Sequence, residues 1–181
     1  MSRKLIFKIS ALAFIFLYIL VLLDGAVSFI SRSFPWVMAE RISWVGALAG
    51  LTILTFEINF NFFWVALIIG LVEDLFYSGI VGFYAISYVF AAIFLRWLVN
   101  HLPNNFIYII SSFFLSMTLF CTIYYLLNSY LRLTDVMLLQ YISLYLPVTL
   151  FTNLIYFVIL YLPMIKIVEY YQKKLELKNE R

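Results

Sequence analysis

An apolar run from residue 62 to residue 82 is long enough to cross a bilayer, yet two adjacent carboxylates, Glu73 and Asp74, lie inside it. An ionisable side chain in hydrocarbon costs about 2.5 to 3.5 kcal/mol on insertion scales. Such a side chain normally faces a protein interior or a wet cavity. The run therefore predicts a membrane-spanning helix whose acidic residues point away from lipid.

Five further apolar runs accompany this one, and the chain is 66% hydrophobic and only 12% charged. Soluble domains average about 25% charged residues, so the composition indicates an integral membrane protein. We predict one all-α membrane domain over residues 1–181, with transmembrane helices at about 6–30, 42–56, 62–78, 83–99, 107–127 and 137–162. The basic start and first apolar run also fit a secretory signal, but the polytopic remainder favours an uncleaved helix.

The positions of Lys and Arg predict the orientation of these six helices. Nine of the twelve fall at the two termini or in loops on the same side of the membrane as the termini. Because positive charge marks the cytoplasmic side, both termini are expected in the cytoplasm. Residues 164–181 form a basic amphipathic tail that either lies on lipid headgroups or docks to a cytoplasmic partner. With its charge at the ends, the chain has no basic groove for nucleic acid.

Small residues predict how the second and third helices pack. Ala66, Gly70 and Asp74 follow one another at helical spacing and form a narrow ridge on the third helix. Gly46 and Gly50 have the small-xxx-small spacing on the second helix. The turn between the two helices is so short that they are expected to touch, with these glycines against the ridge.

The polar residues inside the apolar runs are candidates for an interaction site. Glu73 is expected to meet Tyr77, one helical turn further on, or a neighbouring helix. Asn153, in the sixth run, is the expected partner of Asp74. Asp24, at the end of the first run, is a secondary candidate.

The sequence has none of the side-chain patterns that carry catalysis or metal binding. It shows no paired nucleophile and base, no metal-ligand spacing and no phosphate loop. Cys121 is the only cysteine and lies in an apolar run, and His101 is the only histidine and lies at a helix end. We therefore expect no enzymatic activity, no metal and no cofactor.

One stretch of the chain resembles a known family. The pattern Gly70-Leu71-x-x-Asp74-Leu75, followed by Gly79, Gly82 and Tyr84-Ala85, resembles the signature region of MreD, a small membrane protein of bacterial rod-shape systems. The resemblance covers about residues 62–95. Leu22-Leu23-Asp24-Gly25 also resembles the end of the first helix in some Gram-positive members. Asp74 occupies the position of the family's acid, whereas Glu73 is additional and takes no role from the family.

The resemblance implies a non-enzymatic scaffold of the cell-wall elongation machinery in the bacterial cytoplasmic membrane. The expected partner is the single-span protein MreC, and through it RodA, a class B penicillin-binding protein and, where present, MreB filaments. Self-association with a second copy is a further expectation. MreD-like proteins are also similar in fold to the substrate-binding subunits of vitamin-uptake transporters, so a small-solute transport subunit is the alternative function.

Overall fold

The structure, a computed structural model, describes residues 14–27, 45–58 and 62–179, with side chains in the last helix as far as Lys166 and at Val168. Within these ranges the chain is helical and contains no strand. The all-α prediction is therefore confirmed for this part of the chain. The first predicted helix, residues 6–30, extends at both ends beyond the described segment 14–27.

Six helices, numbered here α1 to α6, make up the described chain. The first five are α1 (Phe14–Val27), α2 (Gly46–Ile58), α3 (Phe63–Glu73, extended by a π-helical segment, Asp74–Ser78), α4 (Phe83–His101) and α5 (Phe106–Tyr130). The last, α6, begins with Leu138–Gln140, passes through a π-helical segment, Tyr141–Tyr145, and continues as Leu146–Asn179.

Three of these helices are long and apolar enough to cross a membrane: α4, α5 and the part of α6 from Leu138 to Lys166. Two shorter helices, α1 and α2, are also apolar. Large apolar side chains cover the outside of the bundle, and Trp64 and Phe151 are each about two-thirds exposed. A soluble monomer seldom exposes so much contiguous apolar surface.

The centre of the bundle is α2, in which every residue from Gly46 to Phe56 is buried. A helix that is apolar on all sides is typical of such a position. Its main neighbours are α4, α5 and α6, whereas α3 packs chiefly against α4. Contacts between α2 and α3 are few, because the glycine face of α2 is occupied by α1 and α6.

The C-terminal tail is not a separate helix. Leu146–Asn179 is one continuous helix with Pro163 inside it. Proline removes only one backbone donor, and helices of this apolar kind tolerate it. The part of α6 beyond Lys166 extends for about 20 Å at ~1.5 Å per residue. The tail is therefore a continuation of a long helix, and it does not begin anew after the proline.

Two tyrosines connect α5 and α6 through ring stacking and hydrogen bonds near the loop that joins these helices. The rings of Tyr125 and Tyr141 stack with their centroids 4.1 Å apart. The hydroxyl of Tyr125 donates to the carbonyl of Val136 at 2.8 Å, and that of Tyr141 donates to the carbonyl of Cys121, also at 2.8 Å. Both phenols thus satisfy their polar ends on backbone carbonyls.

Candidate functional site: the acidic end of the bundle

Asp74 caps the N-terminus of α4 from the neighbouring helix. Its Oδ2 accepts hydrogen bonds from the backbone N–H groups of Gly82 at 2.7 Å and Ala85 at 3.2 Å, and its Oδ1 accepts one from Tyr84 at 2.7 Å. The first N–H groups of a helix have no partner within the helix, and Gly82, at the N-cap, has no side chain to offer. The fully buried Asp74 carboxylate supplies that cap, at the positive end of the α4 dipole.

The turn between α3 and α4 brings the acid to this position. The π-helical segment Asp74–Ser78 ends α3, and the N–H of Gly79 closes it by donating to the carbonyl of Asp74 at 2.9 Å. Gly79 and Gly82 have φ of +67° and +117°, in the left-handed region that side-chained residues rarely adopt. These two glycines allow the chain to reverse within four residues.

Gly70 lets the backbones of α3 and α4 touch. A Cβ at this position would lie 2.7 Å from the backbone nitrogen of Ala85 and 2.9 Å from the carbonyl carbon of Tyr84. Close backbone approach of this kind is the usual purpose of small residues between membrane helices. The predicted ridge of Ala66, Gly70 and Asp74 is therefore buried, but it faces α4.

The glycines of α2 face other helices than predicted. A Cβ on Gly46 would lie 2.5 Å from Oδ1 of Asp24 and 2.7 Å from Cε1 of Tyr156. A Cβ on Gly50 would lie 2.6 Å from Cδ1 of Leu20 in α1. The prediction that these glycines receive the ridge of α3 is wrong, because they make room for α1 and α6.

Asp24 and Asn153 together cap the N-terminus of α2. Oδ2 of Asp24 accepts from the N–H groups of Gly46 at 2.7 Å and Ala47 at 3.2 Å, and Oδ1 of Asn153 accepts from the N–H of Val45 at 2.9 Å. The predicted pairing of Asn153 with Asp74 is therefore wrong, since each side chain caps a different helix. Asp24 and Asp74 thus have the same structural role at the ends of α1 and α3.

Glu73 is buried against a tyrosine of α4. Its Oε1 accepts a hydrogen bond from the hydroxyl of Tyr88 at 2.7 Å, and both side chains are almost fully buried. Tyr77 instead donates to the carbonyl of Val21 in α1 at 2.6 Å. The prediction that Glu73 pairs with Tyr77 is therefore wrong, whereas the predicted contact of Glu73 with a neighbouring helix is present. Tyr88 is a site residue that the sequence analysis missed, although Tyr84, Tyr88 and Ala92 lie at helical spacing and share one face of α4.

The acidic residues lie at one end of the bundle, where α1 and α3 end and α2 and α4 begin. Glu73 interacts electrostatically with both Asp24 and Asp74. Asp24 is buried as well, and its carboxyl group interacts with the hydroxyl of Tyr156 in α6. Among the residues that the structure describes, no group of three or more His, Cys, Asp or Glu side chains is arranged to hold a metal ion. This end of the bundle accepts hydrogen bonds, mostly from helix N-termini.

Comparison with protein-family models, curated proteins and solved structures finds no match. The geometry gives a physical reason for the glycines and the acid between residues 70 and 82. Gly70 allows the close approach, Asp74 caps α4, and Gly79 and Gly82 make the turn. The pattern therefore describes one α3–α4 hairpin.

Proposed function

We propose that this chain is an integral membrane protein that crosses the bilayer six times, with both termini in the cytoplasm. Three helices of sufficient length and the apolar outer surface support this proposal. The excess of Lys and Arg on the side of the termini supports the orientation. The short α2 is surrounded by other helices, so protein replaces lipid along most of its length.

Within that membrane we propose a non-enzymatic scaffold of the cell-wall elongation complex that binds MreC. The observation that carries this proposal is the use of Asp74, the acid of the MreD-like signature, as a structural cap. Both of its carboxylate oxygens accept backbone hydrogen bonds, and the residue has no exposed surface. A catalytic carboxylate must reach a reacting group of a substrate, which this arrangement does not favour.

The surfaces available for a partner are helix faces and the cytoplasmic end of α6. The connections between α3 and α4 and between α4 and α5 are short, so between residues 62 and 130 little of the chain stands outside the helices. The single span of MreC suits a lipid-facing helix surface, because helices in lipid associate through van der Waals contact and polar bonds. The extension of α6 past Lys166 offers a second contact for a cytoplasmic protein such as MreB.

Co-purification from the native membrane tests this function. The tagged protein is recovered from its own host with Asp74 intact, with Asp74→Ala and with Asp135→Ala, in which an exposed acid of the α5–α6 loop is removed. We expect MreC to accompany the native protein and the Asp135 variant, and to be reduced with Asp74→Ala because the hairpin loses its cap. Absence of MreC from the native preparation would contradict the proposal.

A small-solute transport subunit is the second candidate, and one observation favours it. Asp24 is buried beside the hydroxyl of Tyr156, and Gly46 has no side chain to fill the space next to both groups. A carboxyl group and a phenol side by side suit recognition of a small polar ligand. A thermal-shift screen of the purified protein against vitamins separates the two functions. The scaffold predicts no shift, whereas a single stabilising vitamin would support transport.

A further inference from the structure

The turn between α3 and α4 has an unusually apolar surface for a connection between helices. Residues 79–82 contain no charged side chain, and Val81 is 64% exposed. Leu75 and Phe76, just before the turn, are exposed as well. Turns that face water are normally rich in polar residues. The α5–α6 loop at the same end of the bundle follows that rule, with Arg132 and Asp135 exposed.

Along the helix axes, the α3–α4 turn lies closer to the middle of the bundle than the α5–α6 loop does. The rings of Phe83, at the start of α4, and Tyr124 in α5 meet edge to face with centroids 6.2 Å apart, so these residues are level. Since α5 continues to Tyr130, its end is about 9 Å further out at ~1.5 Å per residue. The α3–α4 turn therefore lies about 9 Å further in than the end of α5.

The length of α4 gives the same depth independently. Trp97, near the other end of α4, is half exposed and of the type found at membrane interfaces. The rise from Trp97 to Phe83 is about 21 Å, whereas the hydrocarbon layer is about 30 Å thick. If Trp97 marks one boundary of that layer, α4 begins about 9 Å inside the other boundary.

A turn at that depth needs partners for its backbone, because hydrocarbon offers none. Side chains and backbone of Asp74 and Ser78 provide most of them. They accept hydrogen bonds from the N–H groups of Gly79, Ile80, Gly82, Tyr84 and Ala85. The hydroxyl of Ser78 in turn donates to the carbonyl of Ile80 at 2.8 Å.

We propose that the α3–α4 turn is immersed in the hydrocarbon layer and contacts lipid acyl chains, and that Asp74 permits this by satisfying the N–H groups at the start of α4. The inference rests on the membrane location proposed above. Acyl chains are the occupant because the exposed side chains are apolar, while the N–H groups of Gly79, Ile80 and Gly82 beneath them already have acceptors. Asp74 thus takes the place of water as the acceptor for these N–H groups.

Nitroxide accessibility in vesicles tests the depth of the turn. Cys121 is replaced by Ala, and single nitroxide labels are placed through Val81→Cys in the turn and Arg132→Cys in the α5–α6 loop. The purified proteins are reconstituted into phosphatidylcholine–phosphatidylglycerol vesicles. Collision rates are measured with oxygen, which concentrates in hydrocarbon, and with a water-soluble nickel chelate. We expect the oxygen-to-nickel ratio at residue 81 to exceed that at residue 132 several-fold.

Each alternative gives a different result. Equal access of the nickel chelate at residues 81 and 132 would place the turn in water and overturn the inference. Low access of both reagents at residue 81 would mean that protein, such as a second copy, covers the turn, and would overturn it equally. A protein that does not enter the vesicles would refute the membrane location and the proposed function with it, so the two failures are distinguishable.

A second set of variants tests the role of the acid. In the Val81→Cys background, Asp74→Asn retains one acceptor oxygen, and Asp135→Asn makes the same change at an exposed position. We expect access of the nickel chelate at residue 81 to rise several-fold with Asp74→Asn and to stay unchanged with Asp135→Asn. Unchanged access in both variants would show that the turn does not depend on Asp74 for its depth.

Discussion

Gly70→Ala is a sharp test of the α3–α4 hairpin, because the added methyl group would meet backbone and not a flexible side chain. The new Cβ would collide with the Cα of Ala85 and lie 2.7 Å from its nitrogen. Ordinary van der Waals contact begins near 3.4 Å, so the two helices must separate by at least about 0.7 Å to admit it. Overpacking of this kind typically costs about 1–3 kcal/mol.

The separation also weakens the cap on α4. The N–H of Ala85 is already 3.2 Å from Oδ2 of Asp74, and a further ~0.7 Å removes this hydrogen bond. A hydrogen bond to a charged group contributes about 1.5–3 kcal/mol. We therefore expect Gly70→Ala to lower the free energy of unfolding by about 2.5–6 kcal/mol.

Gly50→Ala is the matched control, since the atoms nearest to a Cβ there are the ends of flexible side chains, of Leu17, Leu20 and Met164, and not backbone. We expect it to cost less than half as much as Gly70→Ala. Unfolding is measured for both variants in lipid–detergent bicelles by steric trapping or by titration with dodecyl sulfate. Equal losses for the two variants, or a loss below about 1 kcal/mol for Gly70→Ala, would refute the close approach of the α3 and α4 backbones.

Two further hydrogen bonds give predictions that the same unfolding assay checks. Tyr88→Phe should cost about 1–3 kcal/mol, because it leaves the buried oxygen of Glu73 without a donor. The double variant Tyr88→Phe/Glu73→Leu should recover much of that loss, since no polar group is then unpaired. No recovery would indicate that the pair acts through packing alone. Asn153→Ala should cost a similar amount, because the N–H of Val45 loses its acceptor. Its control, Thr152→Ala, removes only a hydroxyl bonded within its own helix and should cost about 0.5 kcal/mol or less. Equal effects of the two variants would refute the role of Asn153 as a cap of α2.

Hydropathy predicts the helical class of this protein because lipid and core both select apolar runs at helical length. The sequence also places the ridge of Ala66, Gly70 and Asp74 correctly on one face, since that follows from helical geometry alone. It does not predict which helix the ridge meets. That choice depends on how six helices share a limited interior, and in the structure α2 is central and turns its glycines to α1 and α6.

The partners of the acids could not be read from the sequence for a similar reason. Asn153 and Asp74 are both polar and both buried, which makes them a plausible pair when no positions are known. The donors that they satisfy are backbone N–H groups, and every residue except proline carries one. Composition therefore gives no sign of them. A search for polar side chains that precede the start of the next helix would have found Asp24 and Asp74.

Buried acids in an apolar chain are usually interpreted as sites for ions, protons or substrates, but a helix that begins in apolar surroundings also needs polar acceptors. Its first N–H groups need acceptors, and neither lipid nor a glycine at the N-cap supplies any. Asp74 meets this demand for α4, and Asp24 with Asn153 meets it for α2. Glu73 is different, because it bonds to a tyrosine hydroxyl and caps no helix. Of the acids at this end of the bundle, Glu73 is therefore the one whose replacement by glutamine best separates an interaction role from a structural one.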